Sequence, residues 1–593
     1  MLNPQVVLKK YFGYPDFRAG QREVIDKVLN KENVLAVMPT GAGKSLCYQI
    51  PALMQSGLTL VISPLISLMK DQIDSLRQNG IGAAALNSAT PQEEVNPILR
   101  QAYEGKIKLL YMTPERLEMD YFRYQLNFID VDLVAVDEAH CISQWGHDFR
   151  PAYRNIYEGI QSLRSKPSIL ALTATATPAV QEDIAKQLNI SQNNFVITSF
   201  ARPNLSFQVV NSPKDKELYI YNYINNHKSE AGIIYTNTRK KVESLTKYLQ
   251  KRGIAVAGYH GGMENKDRDR VQDDFQYDHL QVIVATNAFG MGIDKSNVRF
   301  VVHANSAKNL ESYYQEAGRA GRDGLESEVL MIYSPGDLQT YRWFIENSAA
   351  DDQYKKTQYT KLAKITAYAN TSECLQQFIV RYFGQDCPPC GKCSNCLDDR
   401  EINDITSEAK KVISMVYELD GRFGKNIVAQ AVTGAKNQKM RDFGMQELEH
   451  FGSLKLKQKE ALSLINYLIA NNFLVQEGDQ YPLVHVTNRG WDVLDGKEQV
   501  FRKGELQLSH HLEASTGHEA DLYAQLKAKR LELAKEQHVP AFIIFSDRTL
   551  KDIAETKPTT EAEFLEVSGV GQAKLIRYGK QMIEVVKNFL NNR

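Results

Sequence analysis

Short apolar runs alternate with charged helical stretches through the first half of the chain. Between residues 33 and 173 the runs fall at 34–37, 58–62, 107–111, 133–136 and 169–172, rich in Val, Leu and Ile and bounded by polar or glycine-containing segments. Runs this short and predominantly apolar fit strands buried on both faces, and helical stretches between them make βαβ units and a parallel sheet. A second series occupies 233–235, 255–259, 282–286, 300–303 and 329–333. The pattern predicts two similar α/β domains joined near residues 200–204. After about residue 337 the strand alternation stops and helical patterning leads into a cluster of cysteines.

Beyond the cysteines, residues 403–495 read as helices followed by two short β-runs, 473–476 and 483–487, separated by the turn-rich 477–481. Helices that end in a hairpin resemble a winged helix. Residues 498–518 are polar, lack periodicity and read as a linker. The block from 520 to 593 is helical by pattern, with Leu522, Leu526, Leu533, Phe564, Ile576, Ile583 and Val586 as its apolar faces.

Composition narrows this picture. A chain of 593 residues exceeds one core and implies roughly three to five domains. With 71 basic and 71 acidic side chains the net charge is zero, so any nucleic-acid contact must come from local patches. The amino terminus lacks the basic and apolar regions of a secretory signal, and no apolar run is long enough to span a bilayer, so a soluble, intracellular protein without a membrane partner is expected. Five of the seven cysteines fall between Cys374 and Cys396, which in that compartment points to metal rather than disulfides.

The first chemical motif is Thr40-Gly41-Ala42-Gly43-Lys44-Ser45, set between an apolar strand and a helical start. Its glycines let backbone amides wrap phosphates, Lys44 reaches the β- and γ-phosphates, and the Ser45 hydroxyl ligands magnesium. Met38 stands where the usual pattern has a first glycine. Asp137-Glu138 follows the buried run 131–136 and supplies what the loop lacks: Asp137 to hold magnesium and Glu138 to polarise the attacking water. Downstream, residues 315–324 place Arg319 and Arg322 three apart on one side of a helical turn, either one suited to act as an arginine finger on the γ-phosphate. Coming after the second α/β domain, they imply a site closed between domains. Further on, Cys374 with Cys390, Cys393 and Cys396 offers four thiolates for a closed, structural zinc site, while Cys387 is a fifth candidate with a competing C-x-x-C clip.

Together these motifs resemble superfamily 2 helicases and, more closely, the RecQ family of DNA helicases, over nearly the whole chain. Tyr14, Arg18 and Gln21 are similar to the family's motif 0, which holds adenine, although Ala19 stands where proline is common. Residues 38–45 look like motif I, which in this family also dispenses with the first glycine, so that the cofactor-binding set is Tyr14, Arg18, Gln21, Thr40, Gly41, Ala42, Gly43, Lys44 and Ser45. Ser63-Pro64-Leu65 with Asp71-Gln72 resembles motif Ia and 113–116 motif Ib, both along a DNA strand. Asp137 to His140 is similar to motif II, 173–175 to motif III, 285–294 to motif V, and Gln315 to Arg322 to motif VI. The resemblance makes Lys44, Asp137, Glu138, His140, Gln315, Arg319 and Arg322 the catalytic set. It makes residues 142–151 the aromatic-rich loop that couples single-strand binding to hydrolysis, with Trp145, His147, Phe149 and Arg150 toward DNA. Aromatic faces suit a track without sequence preference, since stacking on a base is worth about 1–3 kcal/mol whichever base it is.

The RecQ pattern matches Cys374, Cys390, Cys393 and Cys396 as zinc ligands and leaves Cys387 out. It places the hairpin tip, near Gln480 and Tyr481, at a duplex junction. The last block resembles an HRDC domain; its Ser568-Gly569-Val570-Gly571 hairpin with Lys574 either meets a DNA phosphate on free backbone amides or only turns one helix into the next.

The expected fold is therefore α/β: two tandem RecA-like domains (1–203 and 204–337), a helical zinc-binding subdomain (338–400), a winged helix (401–497), a linker (498–518) and an all-helical HRDC domain (519–593). The resemblance implies an ATP-dependent 3′–5′ DNA helicase using ATP, Mg2+ and Zn2+. It would act on single-stranded and branched duplex DNA in recombination, repair and replication-fork processing, beside single-strand-binding and other repair proteins, in the cytoplasm at the nucleoid. The alternatives are a DNA-binding scaffold with a nucleotide switch and an ATPase that moves on RNA or remodels protein complexes.

Overall fold

Strands Val34–Val37 and Leu58–Ile62 are buried along their whole length, as runs of branched and long apolar residues between two helical layers should be. The computed structural model describes residues 3–64, 66–87, 90–146, 148–211, 213–228, 230–289, 295–348, 351–477, 482–504 and 519–591. Among these, one parallel sheet runs in the order Ala83–Leu86, Leu109–Met112, Leu58–Ile62, Val131–Val136, Ser168–Thr173, Val34–Val37, Phe195–Ile197. A second, also parallel, runs Val256–Tyr259, Val282–Ala285, Ala231–Tyr235, Val298–His303, Ser327–Tyr333, Leu205–Asn211. Both are covered by helices, giving the two expected RecA-like lobes.

The order within the first sheet sets up the site. The strand that ends in Thr173 lies between the one feeding the glycine loop and the one feeding Asp137. All three present their carboxyl ends to one crevice, where open α/β sheets bind ligands.

Helices Pro335–Glu346, Asp352–Asn370 and Leu375–Tyr382 lead to the cysteine segment, which lies along the edge strand Leu205–Asn211. There the Ser394 amide donates to the Phe207 carbonyl at 2.9 Å and the Ser206 hydroxyl to the Lys392 carbonyl at 2.8 Å. An edge that would otherwise offer open backbone groups is thereby covered. Helices Thr406–Glu418, Lys425–Val432 and Gln458–Ala470 share a separate core with the hairpin Leu474–Glu477 and Leu483–Val486. The hairpin tip, with Gln480 and Tyr481, lies outside the described residues.

Two expectations are corrected here. The linker does not begin at 498: Val500 is buried in the winged-helix core and Phe501–Lys503 pairs antiparallel with Ile402–Asp404, because the chain's return past that domain leaves backbone groups a second strand can satisfy. Ile576 is not on the buried face of the last domain but 77% exposed. Leu575–Gly579 is wound wider than an α-helix, and that turn shifts Ile576 off the apolar stripe.

The helices from Glu519 onward close a core of their own around Leu526, Phe545, Phe564 and Val586. This domain rests on both lobes. Lys9 reaches the Leu565 carbonyl at 3.0 Å, Arg577 the Gln78 side chain at 2.6 Å, and the Tyr277 hydroxyl the His538 carbonyl at 2.8 Å. No helix among the described residues is long and apolar enough to cross a membrane.

Candidate active site

Gly41 and Gly43 hold φ of +84° and +81°, the left-handed region that lets the 40–45 loop turn its amides inward. Motif 0 packs directly beneath it. The Gln21 side chain, 1% exposed, donates to the carbonyls of Ala42 and Gly43 at 3.0 Å and accepts from the Arg18 amide at 2.8 Å. Arg18 itself bonds the Gly41 carbonyl, while Tyr14 stays 38% exposed at the mouth. Ser45 stands at the start of helix Leu46–Met54. Burial lowers the Lys44 pKa, opposed by the charges of Glu138 and Asp137, and its ammonium lies 3.3 Å from the Met38 carbonyl.

Asp137 and Glu138 titrate apart. Burial, then the neighbouring Glu138, pushes Asp137 up to about 7. For Glu138 burial acts in the same sense, but the hydrogen bond and charge of His140 outweigh it and bring the carboxyl down to about 2. His140 links motifs: its Nδ1 lies 3.2 Å from Glu138 and 3.1 Å from the Thr173 hydroxyl. Thr173 also accepts, through its carbonyl, from the Met38 amide at 3.0 Å. Motifs I, II and III therefore form one bonded unit.

The second lobe closes on this unit. Gly318 faces Thr40 so closely that a Cβ there would lie 2.7 Å from the threonine Cβ, and Arg322 backs onto Gly41. The arginines do not share a helical turn as expected, because helix Leu310–Ala317 ends before them and Gly321, at φ +59°, breaks the turn between them. Gln315 stays on the helix; both arginines still reach the cleft. Arg319 is 4% exposed, its charge acts on Glu138, and its Nε and Nη1 have no hydrogen-bond partner among the described residues. Such an arrangement fits a polyphosphate anion between the lobes.

Arg202, unremarked in the sequence, stitches the joint. Its guanidinium bonds the Thr40 carbonyl of one lobe and the carbonyls of Ala320 and Gly321 of the other, at 3.2 and 3.3 Å for the last two. Its only signal was position in the segment joining the two domains.

The loop after His140 is anchored at its ends, with the Trp145 side chain standing out from it. Trp145 is 42% exposed, Phe149 half-buried beneath Arg154, and Arg150 spans from Asp148 to the Pro64 carbonyl at 3.2 Å. His147, Leu65 and residues 290–294 of the motif V stretch lie outside the described residues.

The sulfurs of Cys374, Cys390, Cys393 and Cys396 lie within 4.8 Å of one another, with Cys374 and Cys393 3.9 Å apart. Thiolates 2.3 Å from a tetrahedral zinc sit about 3.8 Å from each other, so the cage fits that ion. Cys387 is outside the group.

Lys574 is partly buried and packs toward the core of its own domain. Its ammonium turns inward, 5.7 Å from the Phe545 ring, and burial lowers its pKa to about 8. The glycine hairpin is already engaged by the protein: the Gly569 amide donates to the Gly13 carbonyl at 3.1 Å, beside motif 0.

Two parallel-sheet lobes closing arginines over a glycine loop define a helicase-type motor domain. Residues 18–184 match the DEAD/DEAH box helicase model and 215–324 the helicase conserved C-terminal domain. The remaining matches are RecQ zinc-binding at 335–397, the RQC domain at 399–509 and the HRDC domain at 519–586. The chain belongs to the RecQ family of ATP-dependent DNA helicases. It is 46% identical to the ATP-dependent DNA helicase RecQ of Bacillus subtilis, over 99% of this chain and 98% of that protein. It is 40% identical to the Haemophilus influenzae RecQ, over 98% and 95%, and 33% identical to the RecQ-like DNA helicase BLM of Xenopus laevis, over 98% of this chain and 46% of that protein.

Proposed function

We propose that this chain is a motor that moves 3′ to 5′ along single-stranded DNA and separates duplex and branched DNA as it hydrolyses ATP, serving recombination, repair and fork processing. The observation that carries the reading is the composite site: the loop of one lobe is contacted by Gly318 and Arg322 of the other. A site shared in this way ties nucleotide state to lobe spacing, which a stepping motor requires.

In this reading Tyr14, Arg18 and Gln21 hold the base, the 40–45 amides and Lys44 hold the phosphates, and Glu138 orients the attacking water. Arg319 and Arg322 offset charge that builds on the γ-phosphate. Ser45 and Asp137 would hold magnesium, which when bound neutralises phosphate charge; a cation there also favours the ionised Asp137 that burial alone disfavours. Cys374, Cys390, Cys393 and Cys396 would hold structural zinc. Trp145, Phe149 and Arg150 face the DNA strand. The direction of movement, single-strand-binding protein as a partner and a cytoplasmic, nucleoid-associated location rest on the family likeness.

The test is strand separation on 3′-tailed, 5′-tailed, forked and RNA-containing duplexes with ATP and magnesium. Release from 3′-tailed and forked DNA is expected. Release from 5′-tailed duplex alone overturns the polarity, and equal release from RNA overturns the substrate class.

A further inference from the structure

Trp145 is exposed, but its backbone is held from beneath by a residue of a different domain. Lys361, 8% exposed, comes from helix Asp352–Asn370 of the zinc-binding region, and its ammonium donates to the Trp145 carbonyl at 2.8 Å. The same ammonium pairs with Glu311 at 2.9 Å, the two side chains being 10% and 4% exposed. Glu311 lies in the first turn of helix Leu310–Ala317, the helix that carries Gln315 and runs into Arg319. One buried cation thus joins the DNA-facing loop, the zinc-binding helix and the arginine-bearing segment.

The surroundings make this joint stiff. Tyr368 is two turns along from Lys361 on the same face of its helix, and its hydroxyl lies 3.1 Å from that of Tyr313. The two helices are therefore fastened at two points, Glu311 to Lys361 and Tyr313 to Tyr368. The helix of Glu311 is also fixed at its start by the Asn309 side chain, which accepts from the Ser312 amide at 2.8 Å. At the other end of the aromatic-rich loop, Tyr153 donates to the Asp137 carbonyl at 3.2 Å. The segment that carries Trp145 is thus bonded in one direction to Asp137, through Tyr153, and in the other, through Lys361, to the helix of motif VI. From Glu311 to the helix end at Ala317 is six residues, about 9 Å at helical rise, and Arg319 follows two residues on. A buried ion pair resists being left half-made, so loop and helix are constrained to move together.

We infer that Lys361 is a positioning residue that relays occupancy of the aromatic-rich loop by single-stranded DNA to Arg319 and Arg322, through Glu311. It touches neither nucleotide nor DNA. The inference rests on the DNA-driven motor proposed above.

The experiment compares wild type, Lys361→Met, Lys361→Arg and Glu311→Gln in the full chain. It measures ATP turnover with and without oligothymidylate, oligothymidylate binding by fluorescence anisotropy, and melting temperature. Lys361→Met is expected to keep basal turnover and oligothymidylate affinity within about twofold of wild type while stimulation falls roughly tenfold. Lys361→Arg, which can still donate to both acceptors, recovers much of that stimulation. Combining Lys361→Met with Glu311→Gln is no worse than the more impaired single variant, as for members of one chain of contacts. Wild-type stimulation in Lys361→Met overturns the relay, and so does loss of oligothymidylate affinity, which would make Lys361 a DNA contact. If Lys361→Met melts below the assay temperature, Glu311→Gln decides on the same criteria. Absence of stimulation in the wild type is a different result, and it counts against the motor reading itself.

Discussion

Arg319 is buried with two guanidinium nitrogens unpartnered among the described residues, an arrangement that costs free energy until an anion completes it. A γ-phosphate in the cleft is such an anion. Arg319→Ala should therefore lower kcat for ATP by about 10³-fold or more while nucleotide affinity changes little, measured by single-turnover hydrolysis and equilibrium titration. Weakened binding with kcat intact would instead make Arg319 a ground-state contact. Residues of this kind were legible in the chain because hydrolysis needs particular side chains next to particular turns: Lys44 after Gly43, Glu138 beside Asp137. Arg202 and Lys361 were not, since neither sits in a chemical motif and both owe their importance to carbonyls that the fold brings to them from distant segments.

In the two large sheets the strands missed by hydrophobic patterning are Ala83–Leu86, Phe195–Ile197 and Leu205–Asn211, and each lies at the edge of its sheet. Central strands are mostly apolar and stand out; these three edge strands are short, small in side chain or half-exposed, and their pattern fades into loops. The last of them is covered by the cysteine segment through Ser394 and Lys392. Metal and sheet edge are thereby linked. Cys393→Ser should lower bound zinc and, together with it, the melting temperature by on the order of 5 °C, read by metal analysis and calorimetry. Unchanged zinc content would move the ligand set toward Cys387.

At the scale of the molecule, the terminal domain lies across both lobes, touching Lys9, Gly13 and Gln78 on one and Tyr277 on the other. A body fastened to both halves of a hinged motor restrains the hinge, and here it does so beside Tyr14. The contact of Arg577 is exposed and that of Lys9 only partly buried, so the double variant Lys9→Glu with Arg577→Glu should leave each domain folded and shift docking toward release by roughly tenfold. Scattering would then report a larger radius of gyration, and amide exchange at residues 9–14 and 74–80 would quicken. If neither changes, the domain is held by its apolar contacts alone.

The sequence by itself determined the two α/β lobes, the order of the domains, the glycine loop and acidic pair that follow two of the strands, and the cysteine cage, because buried-strand runs and phosphate- or metal-binding spacings are local in the chain. Tertiary structure alone decided that motif III sits between motifs I and II, that Arg202 joins the lobes, that Lys361 underlies Trp145, and that the glycine hairpin meets Gly13. Those contacts join residues tens to hundreds of positions apart. Each depends on backbone carbonyls and buried charges whose partners exist only once the sheets and helices have packed.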